Sequence, residues 1–375
     1  MNPQLEINII AIIVSIACII PGIFLILKKM AMMSDAISHS ILPGIVIAFL
    51  ITHNLNSPLL IMGAALMGLI TVFLIESLNK SGKIKEDASI GVVFPFLFAL
   101  GIIMITQFAD NVHLDTDAVL LGELAFAPFD RLYAGGNDFG PIAIYVMSAI
   151  LIINAILVLV FFKELKITTF DSALASALGF TPWILHYGLM ASVSVTAVGA
   201  FNYVGVVLVV AYMIIPGICA YMLTDNLSKM IFIAVLYGIV SSIAGVQLSF
   251  IIDGSISGSI TTALGVSFLL TYLFAPQKGI LASLKRKKRL KSEFTLDTLL
   301  IHLLNHEKSE NRLQESNIRH LQNHMNWNEK LAQKILNTGS KRNYFKIEND
   351  IIIISEMGKK KALSRLKEIG LQTYH

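Results

Sequence analysis

The chain has 375 residues, of which 55% are hydrophobic and only 14% charged, and its mean hydropathy is +0.71. Soluble domains carry about 25% charged residues, so the composition argues against a soluble globular enzyme. The net charge of +4 hides an asymmetry: residues 1–277 hold 9 Lys/Arg against 15 Asp/Glu, whereas 278–375 hold 20 against 10. The expected organisation is an apolar membrane body over 1–277, a basic linker over 278–292 and a soluble unit over 293–375. The two cysteines, Cys18 and Cys219, both lie in apolar runs and form neither a disulfide framework nor a zinc cluster. The start, Met1 to Gln4, lacks the basic region of a cleaved signal peptide, so the first apolar run is expected to be retained.

About 20 apolar residues span a bilayer as a helix. Such runs fall at 7–27, 30–52, 58–78, 90–107, 141–162, 183–201, 203–223, 230–252 and 259–275. They predict eight or nine membrane helices, some of which could be re-entrant or broken. If alternate loops are cytosolic, Lys28, Lys29, Lys80, Lys83, Lys85, Lys163, Lys166, Lys229, Lys278 and the run Lys285 to Arg289 share one side. Only Arg131 falls on the other, which places the N-terminus outside and the tail in the cytosol. The loop 108–140, with Asp110, Asp115, Asp117, Glu123 and Asp130, is then external.

Charged groups at bilayer depth are costly and mark candidate functional sites. Asp35 and His39 stand four apart in the segment 30–44, MAMMSDAISHSILPG. On a helix this puts a carboxylate and an imidazole on one face, within reach of one cation. Ser34, Ser38 and Ser40 add polar atoms, and Pro43-Gly44 weakens the helix a turn later. A mere Asp35–His39 pair at the membrane edge is the competing reading. Asp253 lies between Gln247 and the loosening glycines Gly254 and Gly258, and taken alone reads more readily as an ordinary loop residue at a helix end than as a site. The linear topology puts Asp35 near the cytosolic end of its helix and Asp253 near an outer end, so sharing a site requires a shifted, tilted or broken segment.

Two further stretches stand out. Residues 168–179, TTFDSALASALG, predict a short helix between two spans on the cytosolic side, capped by Thr168, Thr169 or Asp171 and ended by Gly179. It serves either as an interfacial connector or as a docking helix, with Ala175 in the partner's groove and Leu174 and Leu178 anchoring it. Residues 199–217 carry Gly199 and Gly205 near one end and Pro216-Gly217 at the other, a pattern of close helix packing.

Together these segments resemble a known family. Residues 30–44 resemble the signature segment of metal-importing ABC permeases of the manganese, zinc and iron class. Residues 173–179 and 204–217 are similar to that family's coupling segment and following spans, and 120–128, LLGELAFAP, to its mid-chain loop. The resemblance covers about residues 5–276. It implies a permease, not an enzyme, that dimerises with a second copy or a related chain. Such a permease takes Mn, Fe or Zn from an extracytoplasmic binding protein and is driven by a cytosolic ATPase dimer. It also implies that the metal passes Asp35, His39 and Asp253, and that Asp171, Leu174, Ala175, Leu178 and Gly179 couple to the ATPase. Many family members carry a proline two residues after the late Asp. Ser255 stands there, with Ser257 two further on, which leaves a fourth side-chain ligand open. Carboxylates beside one imidazole suit Mn²⁺ or Fe²⁺ at least as well as Zn²⁺. No phosphate-binding loop of the Gly-x-x-x-x-Gly-Lys-Ser/Thr kind occurs in the chain, so ATP hydrolysis belongs to a partner, and no permanently bound cofactor is expected.

After the spans, the tail predicts helices over 294–306, 315–324 and 329–337, a turn at Asn326-Trp327-Asn328, a hairpin over 344–354 around Glu348-Asn349-Asp350, and a last helix from Ser355 carrying Lys359 to Lys361. That order is the order of a winged helix, and 354–363, ISEMGKKKAL, resembles the wing-to-helix junction of diphtheria-toxin-repressor-like regulators. The expected fold is an all-α polytopic membrane body with a small α+β winged-helix-like cytosolic domain.

Three roles compete for the tail: nucleic-acid binding through Asn328, Lys330, Gln333, Lys334, Lys341 and Arg342; contact with the ATPase or anionic lipid, with Lys285 to Arg289 at the headgroups; or metal sensing through His302/His306 and His320/His324. Because the tail is tethered to a membrane body, protein or lipid contact is favoured over DNA. Against the importer stand two rivals, a stand-alone secondary transporter or channel with a regulatory tail, and a membrane-anchored regulator whose spans only sense.

Overall fold

The computed structural model describes residues 3–54, 57–108, 124–134, 137–307, 309, 311–325, 327 and 329–369. The chain divides into two compact units, residues 1–279 and 280–375. The boundary lies within a few residues of the break in composition.

The first unit runs α1 (Pro3–Leu27), α2 (Ala31–Ser40), α3 (Leu42–Thr52), α4 (Pro58–Lys80), α5 (Glu86–Phe108), β1 (Arg131–Ala134), β2 (Asn137–Pro141), α6 (Ile142–Val160), α7 (Phe162–Phe170), α8 (Ser172–Ala177), α9 (Pro182–Val204), α10 (Val206–Leu223), α11 (Leu227–Ile252) and α12 (Ile256–Phe274). Among the described residues, nine stretches are long and apolar enough to cross a membrane, with α2 and α3 together making one of them. They are apolar on every face because a helix in lipid satisfies its own backbone and has no water to meet. Helix α1 packs against α6, α10 and α11, and its Ile10, Val14, Ile23 and Phe24 are fully buried.

Small residues let these helices approach. Gly22 lies against the Met213 backbone and Gly44 against Gly63, where no Cβ would fit. Gly199 and Gly217 pack on Ile150 and on Ile23 and Ile26, in line with the packing expected of that segment. Pro216-Gly217 lies inside α10 rather than at its end, and Gly205, at φ 76°, is the break between α9 and α10. Polar side chains join helices too. Asn154 Nδ2 donates to Thr196 Oγ1 (2.7 Å) and the Ala17 carbonyl (3.1 Å), and Ser192 Oγ donates to Asn154 Oδ1 (2.7 Å). Such interhelical bonds contribute about 0.6 kcal/mol each and up to about 1.7.

The loop expected outside holds an antiparallel hairpin, β1 with β2, that hydropathy did not reveal. Its Arg131, the sole basic residue expected outside, sits 3.2 Å from the buried carboxylate of Glu6. Of the acidic residues expected there, Asp130 is described, whereas Asp110, Asp115, Asp117 and Glu123 lie outside the described residues.

The second unit runs α13 (Ile280–Asn305), α14 (Arg312–Glu315), α15 (Ile318–His324), α16 (Glu329–Lys341), β3 (Phe345–Glu348), β4 (Ile351–Ile354) and α17 (Glu356–Ile369). The expected linker is the first half of α13, so 278–292 is not an irregular tether: Lys and Arg are good helix formers and no Pro or Gly interrupts 280–305. The second expected helix is split, because the Asn317 side chain accepts from the Arg319 amide and starts α15 afresh. Helix α16 runs past Asn337 because Gly339 leaves room for the Phe345 ring. The expected hairpin forms, with Phe345 opposite Ile354 and Glu348, inside the strand, opposite Ile351; both turn residues, Asn349 and Asp350, have positive φ. Leu296, Leu299, Leu300, Leu303, Leu321, Ile335, Phe345, Ile352 and Ala362 form this unit's core.

Candidate metal centre

Helix α2 carries the first pair. His39 Nε2 stands 3.5 Å from Asp35 Oδ1, with side chains 34% and 38% exposed. The His39 ring lies against Phe94 and Phe98 of α5, at centroid distances of 5.6 and 6.4 Å. The three serines are tied into local hydrogen bonds: Ser34 and Ser38 donate to the Ala31 and Ser34 carbonyls, and Ser40 bonds Thr71 Oγ1 (2.6 Å). The helix breaks at Ile41, and Pro43 sits in the first turn of α3, where its missing N–H costs nothing. Among the described residues neither Asp35 nor His39 makes a hydrogen bond, so this pair keeps its lone pairs for a further group.

Asp253 is the left-handed C-cap of α11, at φ 55°, and is exposed. Among the described residues it joins no metal-holding group with Asp35 and His39. Ser255 is used as the N-cap of α12, accepting from the Gly258 amide, whereas Ser257 Oγ is buried with no partner among the described residues.

The coupling segment differs from expectation in two ways. Thr168 and Thr169 belong to α7, and the cap of α8 is Asp171, whose carboxylate accepts from the Leu174 amide at 2.9 Å. Gly179 follows at φ 88°, as expected of a helix stop. Ala175 is fully buried, whereas Leu174 and Leu178 are 50% and 56% exposed. Ala175 therefore packs α8 against its own chain and is no part of an open surface, whereas the two leucines are open to contact.

A half-buried network was not apparent in the sequence. Glu76 of α4 meets His186 and Tyr187 of α9: His186 Nε2 makes a short contact with one Glu76 oxygen, and Tyr187 donates to the other at 3.0 Å. Lys28 Nζ donates to His186 Nδ1 at 3.3 Å. These groups line a cavity of about 1090 Å³ whose wall also includes Thr168, Thr169 and Ser172 of the coupling segment. The available signal was a Glu and a His inside apolar runs.

In the second unit, Lys330, Lys334 and Lys341 are exposed on α16, with Gln333, and Arg342 is exposed in the turn after it. Asn326 and Asn328 lie outside the described residues. Lys285 to Arg289 are exposed on α13. Lys359 is tied to Glu307 at 2.6 Å and to Glu356 at 3.2 Å.

A polytopic bundle with a carboxylate–imidazole pair in one span and a short capped helix between two others has the architecture of a multi-pass membrane protein. The model of the ABC 3 transport family matches residues 5–275, and the chain belongs to that family. It is 41% identical over 362 residues to the zinc transport system membrane protein TroD of Treponema pallidum, covering 96% of this chain and 98% of that one. It is 40% identical over 282 residues to the manganese transport system membrane protein MntD of Bacillus subtilis, covering 75% and 95%. Among solved structures, PsaBC from Streptococcus pneumoniae in complex with Fab matches with a TM-score of 0.61 at 29% identity, over 74% of this chain and 94% of that one.

Proposed function

We propose that this permease is the membrane subunit of an ATP-driven importer for a divalent transition metal, manganese, iron or zinc. The observation that carries the reading is the Asp35–His39 pair, ionisable groups within a span that no other described side chain satisfies. The relatives' printed names, zinc and manganese transport systems, support the cargo class and leave the metal open. Half-exposed in one copy, the pair needs cover at bilayer depth, which a second permease copy or a related chain supplies. Asp253, at the far end of α11, serves as a separate station for the ion on the outer side rather than as a third ligand beside Asp35. Extracytoplasmic delivery by a binding protein would place the ion there first.

Helix α8 is the contact for the cytosolic ATPase dimer, and the cavity between it and the Glu76–His186 network passes its motion to α4 and α9. The chain is a transport subunit of the bacterial inner membrane with its C-terminal unit in the cytosol. That unit is winged-helix-like and resembles diphtheria-toxin-repressor-like regulators. Its exposed Lys330, Lys334, Lys341 and Arg342 face an anionic partner, protein or lipid before nucleic acid. Purification of the complex from membranes tests the assignment: an ATPase co-purifies and the complex holds a transition metal. A chain that purifies without any ATPase and transports unaided would instead be a secondary transporter.

A further inference from the structure

Three histidines of the second unit gather around one carboxylate, and a fourth packs against two of them. His302 is in the last turn of α13 and His306 follows its end; Glu315 closes α14, and His320 and His324 lie a turn apart on α15. One ligand atom from each of His302, His306 and Glu315 lies within 4.8 Å of the others. Glu315 Oε2 is 3.2 Å from His302 Nε2 and 3.5 Å from His320 Nε2. Ring centroids are 4.6 Å apart for His302 and His306, 5.9 Å for His302 and His324, and 5.8 Å for His320 and His324. His320 Nε2 is buried and has no hydrogen-bond partner among the described residues.

As plain packing this is a poor arrangement. Four imidazoles bring eight ring nitrogens to one carboxylate, and protonating them would set like charges side by side. A cation reverses each cost: it uses the lone pairs and removes the need for protons. Tetrahedral ligation at about 2.0–2.2 Å requires the side-chain tips to draw in by on the order of 1 Å, within the freedom of partly exposed side chains.

We infer that His302, His306 and Glu315, completed by His320 or His324, form a metal site of the second unit, separate from the Asp35–His39 pair. Three imidazoles and one carboxylate select Zn²⁺ over Mn²⁺, because nitrogen-rich sites follow the order in which manganese binds least tightly. The bound ion clasps the end of α13 to α14 and α15. With this unit in the cytosol, occupancy reports metal already delivered. That last step rests on the proposed topology; the site itself does not.

The test uses the full-length chain in detergent, stripped by chelator and titrated with Zn²⁺ alone. The background is Asp35→Ala/His39→Ala, so the membrane pair cannot contribute and failure of the importer reading does not affect the result. This variant is expected to retain one Zn²⁺ per chain after desalting. Adding His302→Ala/His306→Ala should remove it, and Co²⁺ should show four-coordinate visible absorption only before that addition. Should the quadruple variant fail to fold, Glu315→Gln in the same background is expected to weaken Zn²⁺ binding at least about 10-fold. Equal Zn²⁺ binding with and without the histidines or Glu315, or no Zn²⁺ retained in the background variant, overturns the site.

Discussion

Asp35 and Glu76 are both carboxylates within spans, yet their surroundings assign them different work. Glu76 is held by His186, Tyr187 and Lys80, so its charge is compensated by its own chain. Among the described residues, Asp35 has only His39, at 3.5 Å. Asp35→Ala and His39→Ala should therefore abolish cellular metal uptake while leaving membrane abundance unchanged; normal uptake in either variant would remove the pair from the ion's path. Glu76→Ala should act the other way and lower the thermal midpoint of the purified protein. Leaving His186 and Tyr187 without their acceptor costs about 1–3 kcal/mol. An unchanged midpoint would mean that the network carries no structural load. The Asp35–His39 pair was legible in the sequence because four-residue spacing within one helix is local information. Glu76 and His186 stand 110 residues apart, and which helices pair is decided by packing that periodicity does not encode.

At the scale of elements, α8 reverses the usual amphipathic order. Ala175 faces inward while Leu174 and the C-cap residue Leu178 face outward, an arrangement that makes sense when a partner covers the leucines. Leu174→Arg or Leu178→Arg should leave the permease inserted but uncoupled. ATPase activity of the complex would persist, while its stimulation by metal-loaded binding protein and the uptake of metal are lost. Uptake at the normal rate in both variants would make α8 a connector only. Ala175→Arg, by contrast, forces a bulky charge into packed space and should reduce membrane abundance, read by immunoblot of the membrane fraction. The cap and stop of α8 were readable from Asp171 and Gly179, which act through their own backbone. The inward turn of Ala175 was not, since Ala173, Ala175 and Ala177 offer the same side chain and only the packing of the fold selects which of them is covered. The same contrast holds for hairpins. Asn349-Asp350 announces a tight turn between apolar strands, whereas β1 and β2 lie in a stretch with no alternating pattern.

At the scale of the molecule, the change from acidic and apolar to basic and polar falls where the two units divide, so the division was visible in composition alone. The match to MntD covers 95% of that protein and 75% of this chain, which shows that a chain little longer than the first unit serves as a manganese transport system membrane protein. Truncation after Gly279 is thus expected to leave metal uptake in cells intact and to remove only its regulation; complete loss of uptake by a truncated chain that still inserts would place the second unit within the transport machinery. The central claim, that transport by this chain is driven through a partner's ATP hydrolysis, is met most directly in proteoliposomes. Metal accumulation is measured with the purified chain, its ATPase and the metal-loaded binding protein, with and without ATP. Uptake that requires ATP and the ATPase, and that disappears with Asp35→Ala, is the result expected. Uptake by the chain alone under an ion gradient would contradict the account.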